Sequence, residues 1–333
     1  MPFSYCEIND SGDATVCCNQ WCNGFIYGNI LEDDFLDILE GEKSKVFLNQ
    51  FKTQQFKYCN FNVCPAFKKY DSEEEYNKDL EKYKKKKNRE LRLSFDRNCN
   101  VNCVFCRSNF LKKDQEQIKL LVSKIEKHLP YFNENNYEIS LNGVGEIFVS
   151  KILKNFIKIT STNYPNIRFH IVTNGILCTK ENLDELGITD KLTSVEISLH
   201  AINEKTYNKL VLGGNLKKAK KNVLYVSELV KHGKVKDLLI NFVVNSINYK
   251  EMVNFAKWCF KIGAKPNFLP LIAVENTDFK TLNIADPNHS LHSDFVRVMQ
   301  NPIFRREDVL IPKHYLELKP NKKPNFLTKL FKI

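Results

Sequence analysis

The sequence lacks any apolar run near the ~18 residues that a membrane-spanning helix requires, so no membrane partner is expected. The opening Met-Pro-Phe-Ser also lacks the basic and apolar segments of a secretory signal peptide. These absences predict a cytoplasmic chain, in which thiols stay reduced. Its 11 cysteines are therefore expected to be metal ligands rather than disulfide partners.

The sequence also lacks an excess of acidic residues. Its 50 Lys and Arg residues outnumber its 39 Asp and Glu residues, which gives a net charge of +11. Such a balance can favour nucleic acid as a partner. The lysines, however, are scattered along the chain, and the dense basic run at 81–89 follows an acidic stretch at 71–75. This pattern is typical of a solvated helix. We predict a charged linker helix over 71–89 and expect no nucleic-acid partner.

The linker separates two regions of different character, a cysteine-rich segment at 1–70 and an alternating segment at 90–275, with a C-terminal extension at 276–333. In the alternating segment, amphipathic stretches with apolar residues at helical spacing separate short apolar runs. Strands and helices in turn predict an α/β fold with a parallel sheet. The predicted strands are 91–95, 138–141, 169–173, 195–199, 239–244 and 268–271.

The alternating segment is too short for an eight-stranded barrel, which takes about 250 residues. Six strands instead predict a partial (β/α)6 TIM-like barrel, preceded by a small N-terminal cysteine-rich metal-binding domain. Ligands of such sheets bind at the carboxyl ends of the strands. The residues that follow each predicted strand are therefore the candidates for a functional site.

Three cysteines, Cys99, Cys103 and Cys106, follow the first predicted strand, separated by three residues and then by two. A 4Fe-4S cluster normally takes four thiolates, so three would leave one iron for a small molecule. A structural zinc site is an alternative, but it requires four closed ligands, and no fourth is evident nearby. Half of a disulfide set is a further alternative.

The spacing of this loop, with Phe105 before its last cysteine, resembles the signature of radical S-adenosylmethionine (SAM) enzymes. The resemblance implies that Cys99, Cys103 and Cys106 hold a 4Fe-4S cluster and are the catalytic centre. It also implies that the amino and carboxylate groups of SAM chelate the fourth iron, and that one-electron reduction yields a 5'-deoxyadenosyl radical. That radical abstracts hydrogen from a substrate. Phe105 is implied to lie near the adenine.

Two further strand ends extend the resemblance. Gly143, Gly145 and Glu146 follow the second strand and resemble the Gly-Glu motif that holds the SAM amino group in this family. Glycines permit close backbone approach, and Glu146 offers an acceptor. Thr173 and Asn174 end the third strand in a turn similar to the family's Thr-Asn-Gly turn. Both segments could alternatively be tight turns without a ligand.

The fourth and fifth strands end in polar residues as well. Strand alternation is expected to place Ser198 and His200 on one face together with Glu196. The resemblance implies that Ser198 contacts the ribose or carboxylate of SAM and that Asn245 lies near its carboxylate. His200 is a further candidate, with a structural role as the alternative.

The cysteine-rich segment contains a Gly-Asn-Ile turn at 28–30 and a predicted helix at 32–39, and it resembles SPASM auxiliary-cluster domains. Those domains usually follow the barrel, whereas this segment precedes it. Its six cysteines would suffice for one closed cluster, so we predict one auxiliary 4Fe-4S cluster. The candidates are Cys6, Cys17, Cys18, Cys22, Cys59 and Cys64, with Cys6, Cys17 or Cys18, Cys59 and Cys64 as the preferred set. Zinc on Cys18, Cys22, Cys59 and Cys64 is the alternative.

The resemblance implies a radical SAM enzyme that draws electrons from a low-potential donor such as flavodoxin or ferredoxin. The leading substrate is a peptide or protein side chain, because relatives with SPASM-like domains often modify ribosomally made peptides. A small polar substrate, such as a sugar or aminocyclitol that is oxidised or epimerised, is a second possibility. A non-catalytic zinc or iron-sulfur protein that binds nucleic acid is a third.

Overall fold

The computed structural model describes residues 4–17, 24–59, 72–84, 89–106, 115–141, 144–273 and 277–318. Four of the candidate site residues lie outside these ranges, namely Cys18, Cys22, Cys64 and Gly143. The predicted α/β class is confirmed, because strands that pair in parallel alternate with helices along the core.

The strands are, in chain order, β1 (Tyr5–Asn9), β2 (Asp13–Thr15), β3 (Gly28–Asn29), β4 (Glu90–Ser94), β5 (Asn102–Cys103), β6 (Glu138–Leu141), β7 (Arg168–Thr173), β8 (Leu192–Ser198), β9 (Val211–Leu212), β10 (Asp237–Val243) and β11 (Lys265–Leu269). The six predicted strands correspond to β4, β6, β7, β8, β10 and β11. The first, fourth, fifth and sixth of them begin and end earlier than predicted.

The helices are α1 (Phe35–Glu40), α2 (Glu42–Lys52), α3 (Glu73–Lys84), α4 (Gln115–Glu126), α5 (Leu129–Glu134), α6 (Lys151–Asn163), α7 (Lys180–Glu185), α8 (Glu204–Leu210), α9 (Leu216–Lys231), α10 (Met252–Lys261), α11 (Phe279–Leu282), α12 (His292–Met299) and α13 (Lys313–Leu316). Short 3₁₀ turns cover Thr189–Lys191, Tyr249–Glu251 and Pro302–Arg305. In the described part of the chain, none of these helices has the length and apolar character to cross a membrane.

The chain divides into two compact units. Unit 1 comprises residues 1–100, 109–197 and 217–238, and unit 2 comprises residues 101–108, 198–216 and 239–333. The strands of unit 1 lie in the order β8-β7-β6-β4-β1-β2-β3. Strands β8 to β1 of this series pair in parallel, while β2 and β3 are antiparallel additions. In unit 2, β10 pairs with β11 in parallel and β5 pairs with β9 antiparallel.

Strand β1 is a part of the parallel series that the sequence analysis did not predict. It pairs with β4 along its whole length, from Tyr5 opposite Glu90 to Asn9 opposite Ser94. Its alternation explains the pairing, because the side chain of Ile8 is fully buried while its neighbours are half-buried. The N-terminal segment therefore contributes a strand to the sheet of unit 1. The domain boundaries near residues 70 and 90 remain a prediction.

Helices begin where polar side chains cap them. The hydroxyl of Ser150 accepts a hydrogen bond from the Leu153 N–H at the start of α6, and Thr179 caps α7 in the same way. Such caps satisfy backbone donors that the helix leaves free. They set where α6 and α7 start, and hence how long the loops are that follow β6 and β7.

Neighbouring leucines in α4 test the assignment of its buried face. Leu121 is 0% exposed and Leu120 is 48% exposed. Leu121→Ala should lower the free energy of unfolding by about 2–5 kcal/mol, because it leaves a cavity. Leu120→Ala should change it by no more than about 0.5 kcal/mol. Urea denaturation followed by circular dichroism measures both, and equal losses would contradict this orientation of α4.

Candidate active site

The segment that leads from β4 into the cysteine loop is held by its own side chains. One carboxylate oxygen of Asp96 accepts hydrogen bonds from the backbone N–H and the side-chain amide of Asn98, at 2.9 and 2.7 Å. This is an Asx turn, in which an aspartate side chain replaces a backbone acceptor. The guanidinium of Arg97 forms an ion pair with Asp10, which follows β1. The start of the loop is therefore fixed before Cys99.

Gly145 lies directly against this segment. A Cβ at Gly145 would lie 2.5 Å from the carbonyl oxygens of both Asn98 and Asp96, closer than Cβ atoms approach backbone. The next residue, Glu146, donates its N–H to the Asn98 carbonyl at 2.6 Å. Only glycine fits this contact. The loop after β6 is thus joined to the loop after β4, as expected for strand ends that form one site.

The carboxylate of Glu146 connects a third strand end. It is 2% exposed, and the Thr173 hydroxyl lies 2.8 and 2.9 Å from its two oxygens. The Asn174 N–H donates to it at 2.8 Å, and the Phe148 N–H donates at 3.5 Å. The predicted Gly-Glu and Thr-Asn segments therefore meet at one buried carboxylate.

Burial raises the pKa of Glu146 to about 7, although the hydrogen bonds from Asn174, Thr173 and Phe148 oppose this shift. Among the described residues, no cationic side chain contributes to its pKa. A carboxylate offers about four lone-pair sites, more than these donors fill. An amino group with N–H donors would use the remaining capacity and offset the cost of burial. This environment fits the amino group of SAM.

Asp96 gives a second indication that a polar ligand binds near the carboxylate of Glu146. Its other oxygen is buried and accepts no hydrogen bond within the described residues. Buried polar atoms are nearly always paired, so such an atom requires an explanation. The backbone carbonyl of Asp96 lies against Gly145, which places this residue beside the Glu146 loop. Sequence analysis missed Asp96, although the Asp-x-Asn spacing after a strand is the pattern of an Asx turn.

Asn174 extends the site to the cysteine loop. Its side-chain amide donates to the Asn100 side chain at 2.7 Å and lies 3.9 Å from the Cys99 sulfur. Its carbonyl oxygen accepts the Ile176 N–H at 3.0 Å. The structure thus brings together five of the predicted site residues, namely Cys99, Gly145, Glu146, Thr173 and Asn174. Their roles toward a cofactor remain predictions.

Cys103 and Cys106 belong to unit 2. Cys103 lies in β5 opposite Val211, and the Cys106 N–H donates to the Cys103 carbonyl at 2.9 Å. Within the described ranges, no three His, Cys, Asp or Glu side chains are grouped so as to hold a metal ion. Ligation of a cluster by Cys99, Cys103 and Cys106 therefore rests on their spacing and remains a prediction.

Phe105 and His200 contact each other in unit 2. Their rings meet edge to face, with centroids 4.8 Å apart. The Nδ1 atom of His200 accepts the Val243 N–H at 3.2 Å, and burial lowers the pKa of His200 to about 3, so the imidazole is neutral. His200 has a φ of +62° and lies beyond the end of β8. The predicted strand alternation is therefore wrong at His200, because the chain turns after Ser198.

Ser198 lies within β8, and Asn245 follows the end of β10 by two residues. Ser198 is the last residue of β8 and is half-buried. Asn245 is fully buried, and its side chain donates to the Val243 carbonyl and accepts from the Ile247 N–H, both at 2.9 Å. These bonds give Asn245 a role in shaping its own turn. Contacts of either residue with SAM remain predictions.

The described cysteines of the N-terminal segment have different surroundings. Cys6 points to the buried side of β1, where burial raises the pKa of its thiol to about 12. Cys17 and Cys59 are half-buried. A buried, protonated thiol is a poor metal ligand, since metals bind the thiolate. Of the candidates that the structure describes, Cys6 is therefore the one it favours least.

The contact at Gly145 can be tested without any cofactor. Gly145→Ala should lower the free energy of unfolding by about 1–3 kcal/mol, because the new methyl group overlaps backbone atoms that cannot move aside cheaply. The matched control is Gly233→Asn, where the added side chain enters open space and Asn tolerates the φ of +69°. Urea denaturation compares the two variants. Equal stability of Gly145→Ala and wild type would show that the two loops do not touch as described.

Several proteins of known sequence or structure are similar to this chain. A protein named "Probable GTP 3',8-cyclase" from Methanococcus maripaludis (strain C5) is 28% identical over 194 residues, which cover 56% of this chain and 60% of that protein. The "FeMo cofactor biosynthesis protein NifB" of Methanocaldococcus infernus is 24% identical over 198 residues, covering 52% and 64%. The chain thus spans about 60% of the length of the curated relatives it matches.

A solved structure is similar over more of the chain. The crystal structure of Streptococcus suis SuiB bound to precursor peptide SuiA matches 93% of this chain and 71% of that chain, with 15% identity and a TM-score of 0.45.

Two family profiles account for most of the sequence. The profile of the Radical SAM superfamily matches residues 93–259, half of the chain, and includes the cysteine loop and the strand ends described above. The profile of the SPASM iron-sulfur cluster-binding domain matches residues 1–65. Such enzymes use SAM and 4Fe-4S clusters and require a substrate and a reductant. The chain therefore belongs to the Radical SAM superfamily and is a radical SAM enzyme with an N-terminal SPASM-type iron-sulfur domain.

Proposed function

We propose that Cys99, Cys103 and Cys106 hold the SAM-binding 4Fe-4S cluster, that Glu146 receives the amino group of SAM, and that the enzyme modifies a side chain of a peptide or protein. The observation that carries the first two assignments is the position of Asn174. Its backbone N–H donates to Glu146 at 2.8 Å, and its side-chain amide lies 3.9 Å from the Cys99 sulfur. One residue therefore contacts both the proposed amino-group site and the proposed cluster loop.

When bound, the cluster and SAM supply a 5'-deoxyadenosyl radical. The contribution of the chain is to place SAM and to limit contact with water. Thr173 and Asn174 orient the Glu146 carboxylate through hydrogen bonds of 2.8 to 2.9 Å. Because Glu146 is buried, its hydrogen bond to an amino group would form away from solvent, where such bonds are stronger. Phe105, Ser198, His200 and Asn245 are proposed to contact the rest of SAM.

The SPASM-type domain supports one auxiliary 4Fe-4S cluster. We propose that its ligands come from Cys17 or Cys18, Cys22, Cys59 and Cys64, with Cys6 retained as the least favoured candidate because its thiol is buried. This cluster would relay an electron as the substrate radical is resolved. A low-potential donor such as flavodoxin or ferredoxin would reduce the SAM-binding cluster, since plant-type ferredoxins have potentials of about −400 mV.

The peptide substrate is supported by the SPASM-type domain, which accompanies many peptide-modifying enzymes of this superfamily. A nucleoside triphosphate is a second candidate, because a relative named for GTP cyclisation is 28% identical over 194 residues. That match leaves two fifths of the relative uncovered, so it supports shared radical chemistry more than a shared substrate. Superfamily membership argues against the non-catalytic alternative.

Cysteine variants separate the two proposed clusters. Cys103→Ala should abolish 5'-deoxyadenosine formation from SAM after anaerobic reconstitution and reduction, because the SAM-binding cluster loses a thiolate. Cys64→Ala should retain SAM cleavage but lose product and part of the bound iron. Cys259→Ala is the control, since Cys259 is buried in α10, away from either cysteine set along the chain.

Iron content and 5'-deoxyadenosine are measured on all three variants. Unchanged SAM cleavage by Cys103→Ala would contradict the proposed role of the three-cysteine loop. Wild-type iron near four per chain would contradict the second cluster.

The raised pKa of Glu146 predicts how SAM binding depends on pH. With a pKa of about 7, the carboxyl group is mostly protonated at pH 6 and mostly ionised at pH 8. An ionised carboxylate is the stronger acceptor, so SAM affinity should rise by about tenfold over this interval. Glu146→Gln should bind SAM about tenfold more weakly at pH 8 and should lose this part of the pH dependence.

Equilibrium dialysis with labelled SAM measures these affinities. Glu185→Gln is the matched control, because Glu185 is an exposed carboxylate that pairs with Lys154 on the outer helices. It should follow the wild type at every pH. A Glu146→Gln variant with the wild-type pH profile would show that this carboxylate does not receive the amino group.

A further inference from the structure

The chain makes a tight turn directly after β8, with His200 at its centre. The Ala201 N–H donates to the Leu199 carbonyl at 2.8 Å, and His200 between them has a φ of +62°. A three-residue turn with a positive central φ is the rare, strained form of the γ-turn. Such strain persists only where the surrounding structure holds the residue in place, and it is common at functional sites. Other parts of the chain must therefore hold His200 in this conformation.

Asn248, in the loop after β10, holds the backbone of His200. Its side-chain amide donates to the carbonyls of His200 and Val243, both at 2.9 Å. Its side-chain oxygen accepts the Asn245 N–H, also at 2.9 Å. Asn248 is 1% exposed. One buried side chain thus joins the loop after β10 to the turn after β8, and sequence analysis did not select it.

Glu251 holds the residues that follow the turn. Its carboxylate accepts the N–H of Ile202 at 3.0 Å and the N–H of Asn203 at 3.1 Å. The Glu251 N–H donates in turn to the Asn248 carbonyl at 2.8 Å. Asn248 and Glu251 therefore fix the loop after β8 together, from the strained turn to the start of α8.

The contacts of the His200 ring determine which of its nitrogens carries a proton. Nδ1 accepts the Val243 N–H at 3.2 Å, so Nδ1 carries no proton of its own. The ring is neutral, because burial lowers the pKa of His200 to about 3, and its single proton therefore lies on Nε2.

This Nε2–H group is available to a ligand. Among the described residues, the His200 ring contacts the Val243 N–H and the Phe105 ring, and neither offers a hydrogen-bond acceptor in the plane of Nε2. The side chain is 5% exposed, and Nε2 is not fully enclosed by protein. A donor on a side chain that is otherwise buried is nearly always paired. Its missing acceptor therefore indicates a bound molecule.

The position of Phe105 indicates which part of SAM this molecule would present. The Phe105 and His200 rings meet edge to face, with centroids 4.8 Å apart, and Phe105 precedes Cys106, a proposed ligand of the SAM-binding cluster. The amino and carboxylate groups of SAM are directed to the cluster in the proposed function. Its adenine combines an aromatic face with ring nitrogens that accept hydrogen bonds. Adenine therefore matches an aromatic ring beside a single N–H donor.

We propose that His200 donates its Nε2–H to a ring nitrogen of the SAM adenine, and that Asn248 is the positioning residue for this contact. Asn248 acts through His200, because its amide holds the carbonyl of the strained turn. The Val243 N–H sets the tautomer of the ring. This inference rests on the proposed function and adds to it the group that recognises the base.

His200→Asn removes the proposed donor with little change to the turn. Asn tolerates a positive φ and keeps an acceptor close to its Cβ for the Val243 N–H, but it has no group at the position of Nε2. Equilibrium dialysis of the reconstituted full chain should show about tenfold weaker binding of labelled SAM, the loss of one hydrogen bond.

Analogues of the base identify the acceptor. The probes are 5'-methylthioadenosine and its 1-deaza, 3-deaza and 7-deaza analogues, each of which lacks one ring nitrogen. The wild type should bind one of the three analogues about tenfold more weakly than the parent compound. The His200→Asn variant should bind that analogue and the parent equally.

Asn248→Asp tests the positioning role. It keeps the acceptor for the Asn245 N–H and loses both donors, so SAM should bind about tenfold more weakly while the iron content is retained. Combined with His200→Asn, it should cause no further loss, because the two residues act on one contact. Asn208→Asp is the control, since Asn208 is exposed on α8, and it should bind SAM as the wild type does.

Wild-type SAM affinity in His200→Asn would overturn the proposal, as would equal binding of the parent compound and all three analogues to the wild type. Additive losses in the double variant would overturn the role of Asn248. Circular dichroism shows whether any variant is unfolded. Formation of 5'-deoxyadenosine by the wild type tests the proposed function separately, so a failure of the radical chemistry is distinguishable from a failure of base recognition.

Discussion

The arrangement of the candidate site depends on one buried carboxylate. The carboxylate of Glu146 accepts hydrogen bonds from Thr173, Asn174 and Phe148. Its backbone N–H donates to the carbonyl of Asn98. Three strand ends therefore share one residue. The energetic cost of burying this group without a cation appears as its raised pKa, and carboxyl groups with strongly shifted pKa values are common at functional sites.

Local patterns in the sequence were enough to locate the core strands and the strand-end loops. Alternating apolar runs and helical spacing report on burial, and the strand-end rule then selects Glu146, Thr173 and Asn174. Strand β1 was missed because its parallel partner β4 lies 85 residues later by register, Tyr5 opposite Glu90. His200 was misplaced because its φ of +62° marks a turn that strand alternation cannot anticipate.

The N-terminal segment is bound to the core by more than sequence adjacency. Strand β1 pairs with β4, and Asp10, which follows β1, forms an ion pair with Arg97 in front of Cys99. Gln117 of α4 donates to the Asp10 carbonyl at 3.3 Å. The SPASM-type segment thus supports the start of the cysteine loop directly. The N-terminal segment therefore contacts the core next to the cysteine loop, although it precedes the core in the sequence.

The contact at Gly145 limits how this loop can vary. Gly145, in the loop after β6, lies against the carbonyl groups of Asp96 and Asn98, in the loop after β4. Neither of these two loops therefore has room to shift alone, and an insertion in either loop would separate them. We expect differences in loop length between related enzymes to fall after Asn98 and outside residues 144–146. Transplanting the cysteine loop into another scaffold would accordingly require both loops to be moved as one piece.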